Sequence, residues 1–269
     1  MPDIFCGTAI GGRYGISAEL LALAAARGIE RVEISMYGAA LDVHDTAALA
    51  AVAAAMPRGL ECRSVHLAFG DANDISLTDD DARRRALDEA CYQVSAAPLL
   101  GARLAVVHGS DEPIDDKDRP ARIACLRESL PVLCRVAAKS GVRLALELLP
   151  RTCLAHTTEE ALTIVEGLPA ERIGFCLDAN HINLREDPAS AVRRLGGRII
   201  TFHISDNDGV DERHWFPFEG IIDWKSFMCA VRDIGYKGQF IFETGGSLGG
   251  DMPVYLGELR ARFDRLMAL

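Results

Sequence analysis

The eight cysteines of this 269-residue chain form no CxxC pair and follow no regular spacing, which argues against a zinc ribbon, a redox dithiol or a disulfide framework. The opening MPDIFCGTAI has neither a charged leader nor an apolar signal core, so the expected home is a reducing cytoplasm. Arg, Glu or Asp interrupts every long apolar run before it reaches the roughly 20 residues that cross a bilayer. The alanine-rich stretch 47–56 is too short and suits a helix packed on a sheet. Positive charge is also scarce: the formal balance is −10, and the densest basic run, Arg83–Arg85, follows the acidic helix start Thr78–Asp81 and reads as a solvated helix face. Broad nucleic-acid binding is therefore not expected, because an acidic surface repels phosphate backbones. No GxGxxG follows the first strand-like run, so no dinucleotide or other organic cofactor is expected.

Present instead is 49% hydrophobic sequence arranged as alternating short β-rich runs and longer helical segments, the pattern of repeated βα units around a parallel sheet. Eight strands are predicted at 4–9, 31–35, 61–67, 103–108, 143–148, 173–178, 199–204 and 239–244, with eight helices between and after them. Thr157 and Asp223 are predicted N-caps. Strand alternation sends Ser64, Val106, Ala145, Cys176, Thr201 and Ile241 to one face and the larger Val65, Val107, Leu146, Leu177, Phe202 and Phe242 to the other. A narrow interior lined by the smaller set suits a closed (β/α)8 TIM barrel, one domain over residues 1–269, rather than a doubly wound open sheet.

Seven of the apolar runs end on one acidic or histidine residue: Glu33, His66, His108, Glu147, Asp178, His203 and Glu243. A buried strand has no use for a terminal charge unless something there needs a ligand, acid or base, so the chain reads as an enzyme. In a barrel the carboxyl ends converge on one mouth, which would gather Glu147, Asp178, His203 and Glu243. Three carboxylates sharing a site call for a cation, and three oxygens plus one imidazole suit one divalent ion such as Mn²⁺, Mg²⁺, Co²⁺ or Zn²⁺. Glu33 reads as a rim charge or ion-pair partner rather than a ligand.

The chain also resembles the xylose isomerase-like TIM barrels, a superfamily that includes sugar phosphate isomerases and epimerases, ketose 3-epimerases, inosose-processing enzymes and endonuclease IV. The resemblance rests on LALELLP around Glu147, LDANH ending at His181, FHISDNDG after Thr201, ERHWFPFEGIIDW ending at Trp224, and FIFE ending at Glu243. It implies that Glu147, Asp178, His203 and Glu243 are the metal ligands and that Glu147 and Glu243 are also the catalytic acid/base pair. His66, His108, His181, Arg213 and His214 are the implied substrate-binding residues. In endonuclease IV, the positions of His66, His108 and His181 help hold additional metal ions. Relatives often carry Asp-x-His before Pro-Gly-x-Gly; here Glu212-Arg213-His214 precedes Pro217-Phe218-Glu219-Gly220, which puts a complete second metal site in doubt unless Asp211 serves in another register.

Trp215, Phe216 and Phe218 either wall the pocket or anchor their loop. Gly245–Gly250, ahead of a predicted helix starting at Pro253, either cradles an anionic group or is a flexible connection, and Tyr37 and His44 are candidate lid residues. The leading expectation is an isomerase or epimerase acting on a sugar, inosose or sugar phosphate through an enediolate, and the resemblance implies a homo-oligomer. The alternatives are an endonuclease IV-like zinc phosphodiesterase and a lyase or dehydratase on the same barrel.

Overall fold

In a computed structural model, which describes residues 4–11, 15–38, 41–245 and 251–269, the β-rich runs form eight parallel strands. They are β1 (Phe5–Ile10), β2 (Arg31–Ser35), β3 (Glu61–His66), β4 (Leu104–Val107), β5 (Arg143–Glu147), β6 (Ile173–Asp178), β7 (Ile199–Ile204) and β8 (Gln239–Phe242). Each pairs with the next in chain order, and β8 returns to β1 through Phe5↔Gln239 to Thr8↔Phe242, closing the expected (β/α)8 barrel.

The helices are α1 (Ala18–Ala26), α2 (Thr46–Ala54), α3 (Asp80–Ala96), α4 (Arg119–Ser140), α5 (Thr158–Ile164), α6 (Ala179–Ile182), α7 (Pro188–Leu195), α8 (Trp224–Asp233) and α9 (Met252–Met267). Thr157 caps α5 by accepting from the Glu160 N–H at 3.2 Å, and Asp223 caps α8 by accepting from Ser226 N–H at 3.0 Å, as predicted. The helix not predicted is α6, a single turn inside LDANH. It exists because Asp178 Oδ1 accepts from the N–H groups of Asn180 and His181 at 2.7 and 3.0 Å. At the last helix the cap is Asp251, so α9 begins at Met252 rather than at Pro253. No helix among the described residues is long and apolar enough to cross a membrane.

Alternation along the strands splits the core in two. Val65, Val107, Leu146, Leu177, Phe202 and Phe242 pack outward into the layer shared with the helices, whereas Val106, Ala145 and Cys176, with Ile200, form a separate small cluster inside the barrel. A polar layer crosses the same interior, where Gln239 Nε2 donates to Ser64 Oγ at 2.8 Å and Thr201 Oγ1 at 3.2 Å. Two register shifts, between Val32/Glu33 and between Phe175/Cys176, adjust the phase of neighbouring strands. Such bulges re-aim side chains near sites. Beyond the second, Asp178 lies level with His203. Gly174 at that shift leaves room for the partner strand, since a Cβ there would stand 2.5 Å from the Arg198 carbonyl oxygen.

Candidate metal and active site at the carboxyl ends of the strands

β5, β6 and β7 deliver Glu147, Asp178 and His203 to the barrel mouth, and Glu243 follows the last residue of β8. One ligand atom from each of the four lies within 4.8 Å of the others. His203 Nδ1 is 3.0 Å from Glu243 Oε2, 3.2 Å from Glu147 Oε1 and 3.8 Å from Asp178 Oδ2. The opposite ring nitrogen, Nε2, is 2.8 Å from Glu33 Oε1. Glu33 is 1% exposed, so it is no rim charge; the alternative reading as an ion-pair partner describes it. Its position in β2 points it into the barrel, where it fixes the His203 ring with Nδ1 facing the three carboxylates.

The donor set fits a divalent cation. Asp178 Oδ1 is occupied by the α6 amides, but its Oδ2 is buried without a hydrogen-bond partner and faces the same space. A buried anionic oxygen lacking a donor is costly unless a cation approaches it. Burial, the largest single influence, acts to raise the Glu147 and Glu243 carboxyls, but His203 together with His108 at Glu147 and with His214 at Glu243 more than offsets it, so both are held below the usual carboxylate range. Burial raises Asp178, while burial pushes the His108 imidazole down.

The five residues implied as substrate-binding divide by what they touch. His66 Nε2 lies 3.0 Å and His108 Nε2 3.2 Å from Glu147 Oε2. His181 Nε2 lies 3.0 Å and His214 Nε2 3.9 Å from Glu212 Oε2. In His66, His181 and His214, Nδ1–H donates to the carbonyls of Leu67, Leu148 and Glu243 at 2.9, 3.1 and 2.9 Å. A ring anchored this way presents Nε2 outward, the arrangement by which protein histidines hold metals. His66, His108 and Glu147, and likewise His181, Glu212 and His214, thus make two further compact donor groups among the described residues. Glu212 supplies the acid between His181 and His214, while Asp211 instead accepts from Arg151 Nη1 at 2.9 Å. Arg213 sits apart from these groups, donating through Nε to Asp208 at 2.9 Å.

Two cavities meet at His214 and Glu243. An inner one of about 170 Å³ is lined by His66, His108, His181 and His214, with Glu147, Glu212 and Phe69. An outer one of about 380 Å³ is bordered by Ser35, Tyr37, Arg213 and Thr244. The aromatic wall of the inner cavity does not come from the loop after β7, where Phe216 and Phe218 take the anchoring role, one of the two open to them. Phe216 is buried against Tyr255 at 5.5 Å, and Phe218 packs on Trp224 and under the Arg265 guanidinium, so these rings anchor the loop. Phe69 forms the wall instead, stacked on His108 at 4.5 Å and edge-on to His66 and Tyr37. Asp206 organises the loop by accepting from the N–H groups of Phe218 and Ile222 and from Trp224 Nε1. His44 stacks on Tyr92 at 4.4 Å and lines neither cavity. Gly246, Ser247, Leu248, Gly249 and Gly250 lie outside the described residues.

Sequence reasoning also missed Arg151, which bridges Glu112, Asp211 and Glu212 and donates to Glu212 Oε1 at 2.8 Å. Its signal was weak: an arginine in a loop resembles any surface charge, and only tertiary proximity shows three carboxylates around it.

This combination of a closed parallel barrel with acidic and imidazole donors at its carboxyl mouth defines a class before any comparison is made. A model of the family described as xylose isomerase-like TIM barrel matches residues 21–260, and the chain belongs to that family. An uncharacterised protein of Methanocaldococcus jannaschii is 30% identical over 188 residues, covering 67% of this chain and 63% of that one. The L-ribulose 3-epimerase of Methylomonas sp. strain DH-1 is 25% identical over 191 residues, again 67% of this chain and 63% of the relative. The chain thus matches less than two thirds of the length of these relatives. A solved D-tagatose 3-epimerase-like protein superposes with a TM-score of 0.81 at 22% identity, covering 98% of this chain and 99% of that one, which shows the shared fold.

Proposed function

We propose that this protein is a metal-dependent isomerase or epimerase acting on a sugar, inosose or sugar phosphate, with Glu147 and Glu243 as its acid/base pair. The observation that carries the reading is the convergence of Glu147, Asp178, His203 and Glu243, with Glu33 orienting the histidine. A divalent ion held by these four would supply an electrophile that polarises a substrate carbonyl. The remaining work falls to the side chains. Glu147 and Glu243 stand on β5 and just beyond β8, three strands apart around the mouth, so they approach a bound substrate from different sides. Held below the usual carboxylate range, both begin as bases. One removes the proton beside the carbonyl. The other, ionised at the start, first takes up a proton from solvent and then delivers it to the opposite face in epimerisation, or to the neighbouring carbon in isomerisation. His66, His108, His181 and His214 border the inner cavity and supply polar contacts for hydroxyl oxygens, and Phe69 shields that cavity from water. The epimerase name of a relative supports the same class.

The test is deuterium incorporation beside the carbonyl when metal-replete protein meets ketoses, inososes and sugar phosphates in D₂O. Exchange is expected with at least one of them, and Glu147→Gln or Glu243→Gln is expected to slow it about 100- to 10,000-fold. Absence of exchange from the whole panel, with metal confirmed bound, overturns the proposal.

A second reading has its own observation. The two further donor groups, His66–His108–Glu147 and His181–Glu212–His214, would suit a three-ion phosphodiesterase. Three zinc ions per chain in protein purified without chelator, together with cleavage of abasic DNA, would select it over the isomerase.

A further inference from the structure

The opposite mouth of the barrel has the reverse character. A cavity of about 630 Å³ lies at the amino ends of the strands, bordered by the residues that open six of them: Phe5, Arg31, Leu104, Arg143, Ile199 and Gln239. Arg63 and Lys237 complete its charged lining. Four cations and, among the described residues, no carboxylate therefore line this cavity in a chain whose formal charge is −10. Arg63 is there because the β2–β3 register skips it, pairing Val32 with Cys62 and Glu33 with Ser64.

Neutralising the carbonyl-rich strand and helix ends accounts for only part of this charge. Arg31 and Arg143 each donate to one backbone carbonyl, of Glu30 at 2.9 Å and of Ala170 at 2.6 Å, and Arg31 also lies 3.5 Å from Glu61. Arg143 Nε is buried with no acceptor, as is Nε of the neighbouring Arg198. Arg63 and Lys237 have no ion pair or side-chain hydrogen bond among the described residues. Burial, then the nearby Arg198 charge, pushes the Arg143 guanidinium below its ordinary value, as expected for crowded cations lacking a counter-ion. Gln239, 2% exposed, adds a buried Oε1 without a donor, an acceptor suited to a ligand hydroxyl.

We propose that the amino-end cavity is a binding site for a phosphate group, free or as the monoester of a small molecule, held by Arg63, Arg143 and Lys237. Guanidinium and ammonium donors lining one cavity without a carboxylate match tetrahedral oxyanions in charge. The site is independent of the chemistry at the carboxyl mouth, since no residue borders both.

Calorimetric titration of the metal-replete protein with inorganic phosphate and, separately, with a sugar phosphomonoester tests this. Saturable binding of one ligand per chain is expected, weakening with added salt because the contacts are partly exposed. The exposed pair Arg63→Gln/Lys237→Gln should retain the parent melting temperature and lose on the order of tenfold or more in affinity. Tighter binding of the monoester would identify an esterified ligand, and equal or tighter binding of inorganic phosphate the free ion. Binding that the double variant leaves intact, or that Arg213→Gln abolishes instead, would place the anion at the other mouth and overturn the proposal, as would no saturable binding.

Discussion

Glu33→Gln isolates a buried carboxylate that touches the candidate metal centre only through another side chain. Glu33 Oε1 receives the His203 Nε2 hydrogen bond at 2.8 Å, and at 1% exposure no water competes for it. A hydrogen bond to a charged group contributes about 1.5–3 kcal/mol and a neutral one about 1, so the isosteric amide keeps the contact but forfeits about 0.5–2 kcal/mol. At 1.4 kcal/mol per decade this is roughly a two- to thirtyfold loss of metal affinity. That range overlaps the roughly 10- to 100-fold effect usual for groups that orient a ligating histidine. Competition with a chromophoric chelator, for Mn²⁺ and Zn²⁺ in turn, measures it. A merely structural role would lower the melting temperature in chelator without moving the metal dissociation constant. An affinity within twofold of the parent for both ions would refute the reasoning.

Two further outcomes follow from other parts of the molecule. In chelator-treated protein, burial would lower His181, but the Asp178 charge and the Glu212 hydrogen bond lift it from 6.5 to about 10, while the His181 hydrogen bond holds Glu212 at about 2 against 4.5. The His181 contribution to stability is complete below pH 6.5 and lost as pH rises toward about 10; the Glu212 contribution is complete above pH 4.5 and lost as pH falls toward about 2. Urea unfolding across that range should therefore show shallower limbs in Glu212→Gln, and unchanged slopes would contradict the pairing. Gly174→Ala places a Cβ 2.5 Å from the Arg198 carbonyl oxygen and 2.7 Å from Ile200 Cγ2. A loss of about 1–3 kcal/mol is expected from such overpacking, read as a lower urea midpoint, and a loss under 0.5 would show that β7 yields.

The period-two alternation of small and large residues, and the ligand-type residue closing most strands, were enough to predict a closed barrel and to nominate Glu147, Asp178, His203 and Glu243 for one mouth. Both signals are local: a strand one residue out of phase would put Leu146 or Phe202 inside and Glu147 or His203 outside, at a prohibitive desolvation cost. The single turn of α6 was not legible, because Asp178 serves simultaneously as the end of β6 and as a helix cap. Nor was the choice of Glu212 over Asp211: Arg151 pairs with both, and only the fold sets Glu212 Oε2 3.0 Å from His181 Nε2. That Phe69 lines the inner cavity while Phe216 and Phe218 anchor their loop was hidden for the same reason, since identical rings serve as anchor or wall according to what lies across the gap.

Sequence alone determined the alternation of elements, the sign of the surface charge and the chemical types at each strand end, since these depend on residue identity and spacing. Tertiary structure decided the pairings: Glu33 with His203, Glu212 with His181 and His214, and four cations around the amino mouth. Those depend on strand register and barrel closure, which bring Glu33 and His203, 170 positions apart, into contact, and chain order does not encode distances of that kind.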